Sequence, residues 1–252
     1  MYCPNGLIYS GRFDRSILSN KEYKMRGELI YVKHPQDEYA RQGGLHHTYF
    51  DIAEDEYVKC LDLEKIDTSH MYPNEEMEIS MMMDKHKIKA IIFAALCVEA
   101  AINDYAGIHF GDTYSKKHLQ NLDVISKWVV LPRLACGKSI DKSGPTFNAL
   151  TQLIKSRNNL VHNKSKKITR ENPISPDTLF KAETSFNSDF ENSLKALYLL
   201  SMEMDFLLGQ RHNPIKTLDK KFSIMLEIPK QTESLFNECK ETILNLYPSK
   251  TI

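Results

Sequence analysis

The chain of 252 residues lacks most of the features that announce a chemistry outright. It has no charge excess: 33 Lys and Arg balance 33 Asp and Glu. That balance excludes a protein that coats nucleic acid by bulk electrostatics, and it confines any such binding to a local patch. Five cysteines, Cys3, Cys60, Cys97, Cys136 and Cys239, never pair at short spacing, so neither a zinc knuckle nor a redox pair is encoded. Their odd number points to a reducing cytoplasm. So do Pro4, Asn5 and Gly6, standing where a secretory leader needs an apolar segment. The longest apolar run, Ile91 to Ile102, is interrupted by Glu99 and falls short of the roughly 20 residues that span a bilayer, so a soluble protein with no membrane partner is expected. There is no glycine-rich phosphate loop, no Gly-x-Ser-x-Gly elbow, no Cys–His pairing pattern and no internal repeat. His46 and His47, with His34, Asp51, Glu54 and Asp55, supply ligand-type side chains. Adjacent histidines do not easily face one ion, however, and no ligand spacing recurs, so no metal site is assigned.

What is present is an ordinary globular composition, 42% hydrophobic and 26% charged, in a chain long enough for one large domain or one domain with an elaboration. Three regions are expected. Residues 1–74 carry short apolar runs (Leu7-Ile8-Tyr9, Leu29-Ile30-Tyr31-Val32, Tyr49-Phe50-Asp51-Ile52) between Gly, Pro, Asn and Asp, which suggests a few strands or irregular segments. Residues 75–210 read as helices: about Asn74 to Tyr105, Lys116 to Val130 closed by Pro132 and Gly137, Thr146 to His162 after Gly144-Pro145, and Asp177 to Leu208. Residues 211–252 read as a loop and a last helix, Gln231 to Leu246, packed on the rest. The fold class is therefore mainly α, a helical bundle with an N-terminal irregular or small β-containing elaboration. Trp128, Tyr105 and the run Met81-Met82-Met83 are expected inside it.

The informative segment is the third helix, ending Arg157-Asn-Asn-Leu-Val-His162. At about 100° per residue, Leu150, Leu153, Ile154, Leu160 and Val161 form one stripe, and Arg157 points into its middle. Asn158 and His162, four apart, share a side at the stripe's edge. A guanidinium on a core-facing position needs a partner. The first helix offers one: with Ile88, Ile91, Ile92, Ala95, Val98 and Ile102 as its buried face, Glu99 falls in the same arc and Asn103 lies one turn further on. A meeting of Glu99 with Arg157 is expected. Arg41 and His46 repeat the spacing, but Gly43 and Gly44 argue against a helix between them.

In this setting, Arg157-Asn-Asn-Leu-Val-His162 resembles the Arg-x4–6-His signature of the HEPN superfamily, and Phe93 to Tyr105 resembles the first core helix of such proteins. The match covers about residues 75–210. It implies an up-and-down helical bundle and a metal-independent endoribonuclease, a toxin or phage-defence effector that needs no cofactor and works as a homodimer on an RNA substrate, with an antitoxin or defence-system partner protein. It also implies that Arg157 and His162 form the catalytic pair, that Asn158 orients His162 and that Glu99 supports them. The chemistry agrees: cleavage by 2′-OH attack needs proton transfer, which suits an imidazole, and charge stabilisation on phosphorus, which suits a planar guanidinium. In one toxin–antitoxin subgroup a tyrosine that a nucleotidyltransferase modifies stands two residues after the histidine. Here that position is Lys164.

Between Thr151 and Arg170 there are basic residues (Lys155, Arg157, Lys164, Lys166, Lys167, Arg170) and no acid, a patch able to hold RNA phosphates. Arg157 and His162 are five apart, about 140° on a straight helix, which favours a site completed by a two-fold partner. The alternative is a non-catalytic module of the same fold that serves dimerisation or RNA and protein binding, with Arg157 as a buried ion-pair residue.

Overall fold

Proline, glycine and short capping side chains set most helix ends. In a computed structural model of the chain, residues 7–10, 28–31, 43–165, 173–218 and 227–247 are described. From residue 43 onward the described chain is all-α, with seven helices: α1 His46–Glu64, α2 Pro73–Phe110, α3 Asp112–Tyr114, α4 Val124–Cys136, α5 Pro145–Val161, α6 Pro176–Leu208 and α7 Glu233–Leu246. Pro73, Pro145 and Pro176 each stand at the first helical position, where the missing N–H has no intrahelical partner to lose. Glu75 closes the start of α2 by accepting from the Tyr72 N–H at 2.9 Å, and Asp123 caps α4 through the Ser126 N–H at 2.9 Å. Gly137 ends α4 with φ of 72°, a left-handed conformation a side chain would oppose.

Two backbone segments near the N-terminus, Leu7–Ser10 and Glu28–Tyr31, pair antiparallel with Leu7 opposite Tyr31. The third expected extended run, Tyr49 to Ile52, is instead part of α1. A four-residue window cannot tell a period of two from one of 3.6. Over the wider window Phe50, Ala53, Tyr57 and Cys60 recur at helical spacing, and all are buried.

Helix α2 is the centre of the bundle and touches α1, α4, α5 and α6. Its interior face is rich in alanine (Ala90, Ala94, Ala95, Ala101, all 0% exposed), which lets its neighbours approach closely, while Ile91, Val98 and Ile102 fill the space between. By length and composition α2 meets the criterion for crossing a membrane, with mean hydropathy 1.6 over an 18-residue window. The bundle accounts for that apolarity, since 56% of the window is buried. The contacts Cys60–Met83 and Glu56–His86 make α1 antiparallel to α2, and Tyr57–Phe190 and Phe50–Tyr198 make α1 antiparallel to α6. Helices α2 and α6 therefore run in the same sense, a departure from the strict up-and-down alternation that the resemblance implies.

Several positions differ from expectation. Met81 and Met82 are 51% and 41% exposed, because the covered side of α2 here runs through Ile79 and Met83 and these two point away from it; of the three only Met83 packs on the core. Ile88 is 42% exposed, so the buried face of α2 is rotated toward Lys87, Ala90 and Ala94. The second expected helix begins later, at Val124, after a turn of π-helix at Ser115–Leu119, and it continues through Pro132 to Cys136. Trp128 and Tyr105 are buried as expected, at 0% and 3% exposure.

Candidate functional site

Helix α5 enters the core with Ala149, Leu150 and Leu153, and its last turn climbs out again. Leu160 is partly buried, but Val161 is 58% exposed, so the apolar stripe ends one turn earlier than the sequence pattern indicates. Arg157 sits where the helix leaves the core. Its guanidinium reaches α2: Nη2 donates to Glu99 Oε2 at 2.5 Å, and Nη1 donates to Asn158 Oδ1 at 2.9 Å. The side chains of Arg157 and Glu99 are 24% and 35% exposed, a half-buried ion pair with one edge in solvent. A charge at a core boundary is tolerable only with such a partner, so the arginine and the glutamate account for each other's position.

Asn158 is exposed, and its side chain turns to Arg157 rather than to His162; only its backbone carbonyl meets His162, accepting from that residue's N–H at 2.9 Å. His162 caps the C-terminal end of α5 and is exposed. Among the described residues its ring makes no hydrogen bond with Arg157, Asn158 or Glu99. The structure thus joins Arg157, Asn158 and Glu99 within one chain and leaves His162 beside them. Lys155 and Lys164 are exposed near the same end of α5, while Lys166, Lys167 and Arg170 lie outside the described residues, as do Arg41, His34 and Cys3.

On the other flank of α2 stands a group that the sequence reading passed over. The indole N–H of Trp128 on α4 donates to the Val98 carbonyl at 3.1 Å, locking α4 to α2 one residue before Glu99. The preceding residue, Lys127, donates from Nζ to Asn103 Oδ1 at 2.9 Å. The signal was available, for a lysine between Val124 and Leu131 on the apolar side of α4 is the same anomaly that singled out Arg157.

Other polar groups belong to the interior. Glu54 is buried, and burial pushes its carboxyl above the usual range although Tyr198 donates to Oε1 at 2.5 Å. Glu56 is buried too. Burial alone would raise its carboxyl, but hydrogen bonds from Lys59, His86 and Lys89 overcome that and hold it down to about 2. At the start of α1, outside the core, the half-buried His46 and the exposed His47 have rings 4.2 Å apart, and partial desolvation lowers both from the ordinary histidine value. The four described cysteines are buried, and burial pushes Cys60 up to about 11 and Cys239 to about 12, far from the thiolate a nucleophile requires. A groove of about 820 Å³, walled by Lys87, Gln152, Asn187 and Asn192 among others, includes none of Arg157, Glu99 or His162. Arg157 and Glu99 instead meet at the partly solvent-exposed edge between α2 and α5.

The chain matches no protein-family model, no curated protein and no solved structure.

Proposed function

We propose that the protein is a metal-independent endoribonuclease of HEPN type, acting in the cytoplasm as a toxin or phage-defence effector. The observation that carries the reading is the Arg157 cluster: a guanidinium braced by Glu99 and Asn158 at the solvent edge, five residues before an exposed histidine on one helix end. A guanidinium has five N–H donors in a plane, so the two bonds to protein leave others for phosphate oxygens. In the reaction the 2′-oxygen bonds to phosphorus as its proton leaves, and the P–O5′ bond breaks as the 5′-oxygen gains one. His162 exchanges protons with these oxygens, and Arg157 stabilises the charge that builds on the phosphorane. The separation of His162 from Arg157 within one chain favours a site completed by a second copy, each copy offering its α5 end to the other.

The test is RNA cleavage with EDTA present. His162→Ala and Arg157→Ala are each expected to lower the rate by about 10²–10⁴-fold. Cleavage that survives both substitutions would refute the site. A second reading, a non-catalytic helical module for dimerisation or for RNA and protein binding, is favoured by one observation: Glu99 balances the charge of Arg157 in a half-buried pair, as in a structural ion pair. Wild-type protein that binds RNA without cutting it would decide for that module.

A further inference from the structure

Lys127 is 8% exposed, yet its ammonium has no carboxylate within ion-pair distance among the described residues; its bond is to a neutral amide, Asn103 Oδ1, at 2.9 Å. The exposure is that of the whole residue; at its head the ammonium is held by a neutral amide alone, so its charge is left for an anion to balance. Arg157 differs in this respect, because Glu99 already balances its charge. The surplus positive charge of the described site therefore resides less at the arginine than at Lys127, with the exposed Lys155 and Lys164.

Its position is well defined. Glu99 and Asn103 are four residues apart on α2, about 40° apart in azimuth and about 6 Å apart in rise, so they form one ridge. Arg157 comes to that ridge from α5 and Lys127 from α4. The Trp128 indole bond to Val98, with Trp128 fully buried, prevents α4 from sliding along α2 and holds the neighbouring lysine in place. The stem of Lys127 lies in the core, while its head sits against exposed Asn103, the usual disposition of a long cationic side chain at a surface edge. The two cations are thus each anchored to residues one helical turn apart on the same ridge.

We propose that Lys127, oriented by Asn103, is a phosphate-binding residue for single-stranded RNA, holding the phosphate next to the one at Arg157. The proposal rests on the nuclease reading for its substrate class, but its mark is binding rather than cleavage. Arg157 contributes to the chemical step; Lys127 contributes to affinity and register.

The experiment measures binding of a short, fully 2′-O-methylated single-stranded RNA, which cannot be cut, to the full chain over a salt series, alongside cleavage of the unmodified strand. Lys127→Met is expected to weaken binding about five- to tenfold and to reduce the slope of log affinity against log salt by about 0.7, the value for one phosphate on a single strand. It raises KM by a similar factor and leaves kcat within about twofold. Lys127→Arg keeps the charge and is expected to restore most of the affinity. Circular dichroism establishes that both variants fold; should Lys127→Met fail to fold, Asn103→Ala replaces it, with a two- to threefold loss expected because the ammonium is no longer held. Unchanged affinity and salt slope in folded Lys127→Met, or unchanged affinity in Asn103→Ala where it stands in, would overturn the proposal even if the protein cuts RNA. A lost salt increment in a protein that cuts nothing would sustain Lys127 and refute the nuclease reading. No binding by the wild type would overturn both.

Discussion

Glu54 and Glu99 are glutamates on two adjacent helices, and each takes its main hydrogen bond from a third, yet their surroundings make them different groups. Glu54 lies in the interior between α1 and α6. The Tyr198 hydroxyl donates to it at 2.5 Å and lies 3.0 Å from Thr232 Oγ1, which in turn donates to the Pro229 carbonyl at 3.1 Å. Every member of that chain ends on another protein group, and the chain ties the turn before α7 to α1. Glu99 stands at the edge, its side chain 35% exposed, and holds a guanidinium whose remaining donors are open. A polar network that closes on itself serves stability. One that leaves donors at the surface is available to a ligand.

The sharpest way to separate the two is to remove each carboxylate. Glu54→Ala leaves the Tyr198 hydroxyl only Thr232 Oγ1 as acceptor and opens a small void beside it, and is expected to cost about 1–3 kcal/mol in urea unfolding, with RNA cleavage per folded molecule unchanged. Glu99→Ala, at a half-exposed ion pair, is expected to cost about 1 kcal/mol or less and to reduce cleavage about tenfold or more. A Glu99 variant that loses stability while keeping full activity would make the edge network as structural as the interior one.

The next contrast is in pH and lies on α1 itself. The folded-state value of Glu56, about 2, is below the roughly 4.3 of an unfolded glutamate, so its contribution is present above pH 4.3 and is lost as pH falls toward 2. Glu54 is shifted the other way, mainly by burial. Its contribution is complete below the unfolded value and fades as pH rises through its folded value. Glu56→Gln is thus expected to flatten the acid limb of the stability curve by about 2 kcal/mol, less than the full conversion because Lys59 and Lys89 are half exposed. An acid limb identical to wild type would show that the Glu56 cluster is not what tethers α1 to α2. The smallest effect belongs to Val161. At 58% exposure Val161→Lys is expected to change stability by no more than about 0.5 kcal/mol, whereas a stripe that reached this turn would make the same change costly.

Much of the bundle was readable in one dimension. The starts of α2, α5 and α6 follow from Pro73, Pro145 and Pro176 and the end of α4 from Gly137, because capping and proline effects are local, whereas α2 runs through Gly107 to Phe110, beyond the expected Tyr105, because packing holds a glycine inside a helix. Helix α1 was missed because four residues were too few to show its period. The exposure of Met81, Met82 and Val161 was missed for another reason: whether an apolar side chain is covered depends on which side of its helix a neighbour stands and how far that neighbour extends.

The candidate site divides in the same way. The sequence by itself determined that Arg157 lies on an apolar helix before Asn158 and His162, and that Glu99 lies on the inner half of another, since both follow from spacing along one helix. Only the tertiary structure decided that these two residues, 58 positions apart, meet at 2.5 Å, that Asn158 turns to the arginine, and that Lys127 stands against Asn103. Periodicity records the direction of a side chain about its own axis, but it carries no information on which helix stands opposite. That depends on packing among α2, α4 and α5, where the Trp128 indole bond to Val98 sets how far one helix slides along another.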